Sequence, residues 1–266
     1  MTPENLLISS HNFFKKNSLS EKKTVSRFIE LDILRGIAIV LMIFLHILWD
    51  LDYFGILALN STLYQIQFIC PTLFLILVGI CLSISYNKKY DPNNYDIHKY
   101  FIKRGLKIFS LGILLTVVTM IFISDRPIFF GVLHCIGISI ILSIFFLRFK
   151  TYNFILASII ILAGILIGGI NFSNPSILHL IFGIHQSNIW STTIDYFPII
   201  PWFGLTLLGI ALGNILYKDN IRQFHSPNLS KYKPVMLVSW LGKNSLIIYL
   251  VHQPIIAATL SVLILL

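Results

Sequence analysis

Charge is what this sequence has least of. Of its 266 residues only 12% are Asp, Glu, Lys or Arg, while 56% are hydrophobic. Soluble domains carry about twice that charged fraction, so the chain has too few polar residues to clothe a water-exposed surface of this size. Cysteine is scarce as well. Cys70, Cys81 and Cys135 lie in or beside apolar runs with no metal-type spacing, which excludes a disulfide framework and reads as buried small hydrophobes. No glycine-rich phosphate loop and no cluster of metal ligands is present. Residues 1–27 have neither an apolar core nor a small-residue cleavage site, so they read as a cytoplasmic tail and not as a signal peptide. No internal repeat points to an inverted-repeat transporter.

What is there is a series of apolar runs long enough to cross a hydrocarbon core of about 30 Å. Seven spans are expected, roughly 32–52, 63–86, 102–123, 130–148, 152–170, 196–217 and 240–264. The fold expected is an all-α, polytopic transmembrane helix bundle, one domain over 28–266 behind the tail. Turn-forming stretches separate the runs: Asp91-Pro92-Asn93-Asn94, Asp125-Arg126-Pro127, Asn171 to Pro175, and Ser226-Pro227-Asn228.

The formal charge of +9 is distributed as membrane topology requires, not as a nucleic-acid surface. Lys15, Lys16, Lys22, Lys23 and Arg27 lie in the tail. Lys88, Lys89, Lys99, Lys103, Arg104 and Lys107 follow span two, Arg148 and Lys150 follow span four, and Lys218, Arg222, Lys231, Lys233 and Lys243 follow span six. With Arg35 set aside as part of span one, these segments hold 18 basic residues and the alternate ones only Arg126. The N-terminus is therefore expected inside and the C-terminus outside.

The first span carries the chemistry. On a helix turning about 100° per residue, Asp32, His46 and Asp50 all fall within about 60° of Arg35. Arg35 and His46 lie about 16 Å apart along the axis, the arginine near the inner surface and the histidine in the outer half. Ionisable groups at membrane depth are costly and normally face a partner or a cavity. Taken singly, Asp32 suits a helix N-cap, Arg35 an interfacial anchor and His46 an interhelix hydrogen bond. Taken together, the stripe reads as the wall of a polar passage.

Further polar groups lie at depth. Ser245, Tyr249 and His252 share one face of span seven, and Pro254 is placed to kink it. They suit either a hydrogen-bond ladder or a second wall. His134 stands at the outer start of span four, as an interfacial residue or part of an acceptor site. Asn244 belongs to the turn before span seven, as a cap. Lys103, Arg104 and Lys107 satisfy the positive-inside rule and would also attract a polyphosphate. The outer loop at about 171–195 holds Asn171, Asn174, His179, His185, Gln186, Asn188, Trp190 and Asp195, either as a solvated cap or as part of an acceptor site.

These residues resemble a family. Leu31-Asp32-x-x-Arg35-Gly36-x-Ala38 followed by His46 is similar to the opening helix of transmembrane acyltransferases, above all the heparan-α-glucosaminide N-acetyltransferase catalytic-domain family with its small prokaryotic members. The Arg35 to His46 spacing is similar to that of the acyltransferase-three family, and the placing of His46 follows that pattern. The resemblance continues through Pro71-x-x-Phe74-x-x-x-Val78-Gly79, Gly131-x-Leu133-His134-Cys135-Ile136-Gly137, Pro201-Trp202-Phe203-Gly204, and Leu241-Gly242-Lys243-Asn244-Ser245-Leu246 to His252-Gln253-Pro254.

It implies an integral membrane enzyme of a prokaryotic plasma membrane that moves an acyl group, acetyl above all, from acyl-CoA to a hydroxyl or amine of a glycan or lipid-linked acceptor outside. No permanently bound cofactor is implied, and acyl-CoA is a co-substrate. The expected site has His46 as general base, Asp50 to hold its imidazole tautomer, His252 or Tyr249 at the developing oxyanion, and Arg35 with Lys103, Arg104 and Lys107 on the donor's phosphates. Tyr249 is also expected in the donor site. Direct attack and a transient acyl-histidine remain open. The expected partners are acyl-CoA, the acceptor and membrane lipid, with no nucleic acid, and a homodimer is compatible. A transporter or flippase for a small polar or lipid-linked substrate is the alternative that a polar stripe also suits.

Overall fold

Where water is absent a backbone must satisfy its own hydrogen bonds, and apolar runs of this length do so as helices. The computed structural model describes residues 28–89, 96–168, 170, 172, 173, 175–227 and 229–265; the tail to Arg27 and the Asp91-Pro92-Asn93-Asn94 turn lie outside them. We number the helices α1 Ile29–Tyr53, α2 Ser61–Ile66, α3 Ile69–Lys89, α4 Asp96–Phe122, α5 Val132–Phe146, α6 Asn153–Gly168, α7 Ile177–Phe182, α8 Ile189–Thr192, α9 Ile199–Leu216, α10 Lys233–Lys243 and α11 Ser245–Leu265. Among the described residues the sheet pairing is a single bridge, Phe130 with Tyr196.

Six stretches are long and apolar enough to cross a membrane. One of them, Val132–Gly168, runs for 37 residues. A straight helix of that length would be about 55 Å long, nearly twice the hydrocarbon core. The chain breaks it at Lys150, whose φ of 46° and ψ of −117° are not helical. Asn153 stabilises the break by donating from Nδ2 to the carbonyls of Phe146 and Lys150, both at 2.9 Å. The halves, α5 and α6, correspond to the fourth and fifth expected spans, and both pack on α9.

Two boundaries differ from expectation. The second span begins at Ile69, because Pro71 is tolerated only in a first helical turn; the residues before it form the separate α2, capped by the Asn60 side chain on the Leu63 N–H. The last span begins at Ser245, because Asn244 closes α10, its Nδ2 donating to the Trp240 carbonyl at 2.9 Å. Asn244 is thus the turn residue that the sequence indicates. Pro254 sits inside α11, which continues to Leu265.

In lipid, helices gain little from hydrophobic exclusion and pair best where small residues let backbones approach. Gly79 on α3 meets the Thr206 carbonyl on α9, and Gly209 returns the contact to Ile76. Gly105 on α4 meets Gly137 on α5. Leu75, Phe101, Cys135, Ile140, Phe203 and Leu207 fill the core between these helices. Beside this block, α1 packs on α3, α10 and α11. Its Gly36 lies against the Val238 backbone, and Gly242 of α10 lies against the Asp32 carbonyl, so the two helices run antiparallel there.

Candidate functional site

The first helix starts at Ile29 with Phe28 as N-cap and no side-chain cap. Asp32 is therefore not the cap its position suggested. It lies three residues inside the helix, 1% exposed, and its Oδ1 accepts from Arg35 Nη1 at 3.0 Å. Arg35 Nη2 reaches Cys81 Sγ on α3 at 2.6 Å, so that cysteine partners the arginine besides filling space. Nearby, Glu30 accepts from Arg222 Nε at 2.8 Å, Arg222 Nη2 at 2.6 Å and the Tyr217 hydroxyl at 3.1 Å. This end of α1 is thus a small ionic network fixed to the segment that follows α9.

Toward the other end of α1, the stripe meets α11. The His46 and His252 rings stand 4.8 Å apart at 58°. His252 is 7% exposed, and its Nδ1 lies 2.6 Å from the Tyr249 carbonyl. A carbonyl only accepts, so Nδ1 carries the hydrogen and Nε2 keeps the lone pair. Nε2 is buried with no hydrogen-bond partner among the described residues. The Tyr249 ring lies 5.6 Å from His252 and packs on two core clusters, between α1 and the central block.

Asp50 has a partner that its expected role did not include: its carboxylate is engaged by Gln253, whose Nε2 donates to Oδ1 at 2.9 Å and Oδ2 at 3.1 Å. The cause is register: α11 places His252 and Gln253 side by side, and each takes one polar residue of α1. Gln253 lay within the His252-Gln253-Pro254 motif, but nothing in its sequence setting marked it as a carboxylate partner.

The basic cluster on α4 lies elsewhere. Lys103 and Lys107 are exposed and Arg104 is half-buried, while α4 packs on α5 and α1 packs on α3, α10 and α11. Arg35 and this cluster therefore stand on separate helix pairs.

His134 is a buried structural residue. Its Nδ1 accepts from the Gly131 N–H at 3.2 Å, and its ring stacks on Phe130 at 5.5 Å with Phe109 edge-on at 5.3 Å. Asp195 docks beside it, its Oδ2 accepting from the Val132 N–H at 3.0 Å and lying against Gly131. Burial pushes its carboxyl up to about 6, against the opposing pull of that N–H. This helix-capping role, inside a loop noted only for its composition, was not legible in the sequence.

Two hollows open in the same loop. One, about 340 Å³, is lined by Phe129, Ser176, Gln186 and Thr192 among others. The other, about 460 Å³, is lined by Phe172, Ser173, Gln186, Ser187 and Asn188. Neither is lined by Arg35, His46 or His252. His179 bonds the Ser176 hydroxyl at 2.7 Å, His185 bonds the Gln186 carbonyl at 2.7 Å, and Trp190 packs edge-on against Phe68. Asn171 and Asn174 lie outside the described residues. Among the described residues no group of three or more His, Cys, Asp or Glu is arranged to hold a metal ion.

The geometry brings together a histidine pair from the first and last helices and a half-buried arginine about three turns away on the same stripe. No curated protein and no solved structure matches the chain. The family model described as Heparan-alpha-glucosaminide N-acetyltransferase, catalytic, matches residues 27–254. That match covers most of the sequence and ends midway along α11, and the chain belongs to this family.

Proposed function

We propose that the protein is a membrane acetyltransferase that takes its acyl group from acyl-CoA at the Arg35 end of the bundle and delivers it to a hydroxyl or amine of a glycan or lipid-linked acceptor at the His46 end. The positive-inside rule puts the Arg35 end in the cytoplasm. The observation that carries this reading is the His46–His252 pair. Two imidazoles 4.8 Å apart at membrane depth, one with its Nε2 unpartnered, supply a proton acceptor where a purely structural contact has no need of one.

The donor's phosphates lie at the Arg35 end, where the guanidinium has donors left over after Asp32 and Cys81. Lys103, Arg104 and Lys107 act on the donor at longer range, through the field of that membrane face. The pantetheine arm covers the roughly 16 Å from Arg35 to His46. His46 removes the proton from the acceptor oxygen or nitrogen as that atom attacks the thioester carbonyl. The carbon–sulfur bond then breaks, and the CoA thiolate leaves and takes the proton. The Tyr249 hydroxyl is the donor for a hydrogen bond to the developing oxyanion, while His252, whose Nδ1–H is held by the Tyr249 carbonyl, offers its Nε2 lone pair as a second proton acceptor beside His46. An acyl-His46 intermediate divides the same transfer into two steps.

The test is transfer of labelled acetyl from acetyl-CoA in membranes containing the protein. His46→Ala and His252→Ala, checked for folding, should each lower the rate by about 10²–10⁴-fold, the range for loss of a general base. Unchanged transfer by folded His46→Ala removes that residue from the mechanism. Purified protein should also bind coenzyme A, more weakly after Arg35→Ala; absence of binding overturns the donor assignment.

A further inference from the structure

Helix α10 has 11 residues, about half of what a crossing requires. One face is fixed by packing: Ser239 and Gly242 are buried, and Gly242 touches α1 at the Asp32 carbonyl. The opposite face presents Met236, Leu237 and Trp240, which are 53%, 61% and 57% exposed. Such a face does not rest in water. Lys231 and Lys233 stand at its start and Lys243 at its end, and no acidic residue follows Asp219 anywhere in the sequence. The lipid-facing surface of α11, with Ile247 and Val251 exposed, begins immediately after it.

We infer that α10 is an interfacial helix whose exposed apolar face is covered by lipid acyl chains and whose flanking lysines select anionic headgroups. An apolar face with lysines at its borders and tryptophan at its edge is the pattern of a helix seated at the headgroup boundary. The N-terminal tail is the competing occupant within this chain, and its composition argues against it. Its Lys15, Lys16, Lys22, Lys23 and Arg27 outnumber Glu4 and Glu21, so it meets the lysines of α10 with like charge. Anionic lipid meets them with opposite charge, and each basic residue near such a surface is worth about a fivefold preference. Because Gly242 touches the Asp32–Gly36 turn, lipid charge bears on the helix turn that carries Arg35. This inference does not depend on the acyl-transfer reading.

The test uses the full chain in vesicles of phosphatidylcholine and phosphatidylglycerol, with brominated chains on one lipid or the other. The difference in fluorescence between the wild type and Trp240→Phe isolates Trp240. Its emission should be quenched, at least about fivefold more effectively by the brominated anionic lipid, the contribution of a single lysine, and Lys231→Gln/Lys233→Gln/Lys243→Gln should abolish the preference but keep the quenching. Equal quenching by both lipids, unaffected by the lysine replacements, overturns the anionic selection. Absence of quenching overturns the lipid contact, and quenching that appears only after deletion of residues 1–27 assigns the face to the tail instead.

Discussion

The contact most exposed to a single methyl group is the crossing of α1 and α10. A Cβ on Gly242 would overlap the Asp32 carbonyl oxygen and stand 2.8 Å from the Gly36 nitrogen, where ordinary contact begins at 3.4 Å. A Cβ on Gly36 would overlap the Val238 carbonyl oxygen. These obstacles are backbone atoms, which cannot rotate aside, so the helices must separate by more than half an ångström. Overpacking of this kind costs about 1–3 kcal/mol, or a loss of roughly 2–4 °C in Tm per kcal/mol for a chain of this size. One separation relieves both overlaps, so the Gly36→Ala/Gly242→Ala pair should cost less than the two single changes combined, by about 0.5 kcal/mol or more. Reversible thermal unfolding in detergent micelles, followed by circular dichroism, measures the cycle. The coenzyme A affinity should fall in both single variants, because the moved turn carries Arg35. Single costs below about 0.5 kcal/mol, or strictly additive ones, would refute the claim that this crossing is a shared close approach.

Four further outcomes are expected. Asp195, with its carboxyl held near 6 when folded and near 3.8 when exposed, keeps a proton between about pH 4 and about pH 6 that the unfolded chain has released. Stability should therefore fall as pH rises through that window, by about 3 kcal/mol, and level off above it; Asp195→Asn should flatten the slope in Tm-versus-pH scans. Arg222→Ala removes a half-buried bidentate partner of Glu30 and should cost about 1–3 kcal/mol, in unfolding measured with and without high salt. Gln253→Leu strands the Asp50 carboxylate and should cost about 1–3 kcal/mol, whereas Asp50→Asn with Gln253 intact should cost less. Replacing Lys103, Arg104 and Lys107 by Gln should raise the donor KM, chiefly at low salt, and leave kcat unchanged in the acetyl-transfer assay.

The legible part of this molecule was what a helix's own periodicity encodes. Hydrophobic length gave the spans, and the phase of Arg35, His46 and Asp50 gave one polar stripe. Which helix stands opposite that stripe is not written in any periodicity, because the phase of a polar face does not name the helix that it meets. His252 was marked as polar at depth, but its pairing with His46 depends on α11 lying beside α1. The same ignorance of neighbours hid Gln253, the partner that the register of α11 supplies to Asp50. It also joined Lys103, Arg104 and Lys107 to Arg35, since charge sign reports a side of the membrane and not a position within it. Helix α10 was divided between a loop and the last span, because the apolar run from Trp240 continues almost unbroken into α11 and the turn at Asn244 falls inside it.

The bond between Asp50 and Gln253 joins residues 203 positions apart, and the histidine pair beside it has a similar separation. During synthesis the first helix enters the bilayer with its stripe unanswered, and the polar partner arrives only with the final helix. A chain released before α11 is inserted holds His46 without His252 and Asp50 without Gln253. Both contacts of the stripe therefore wait for the last helix to be inserted.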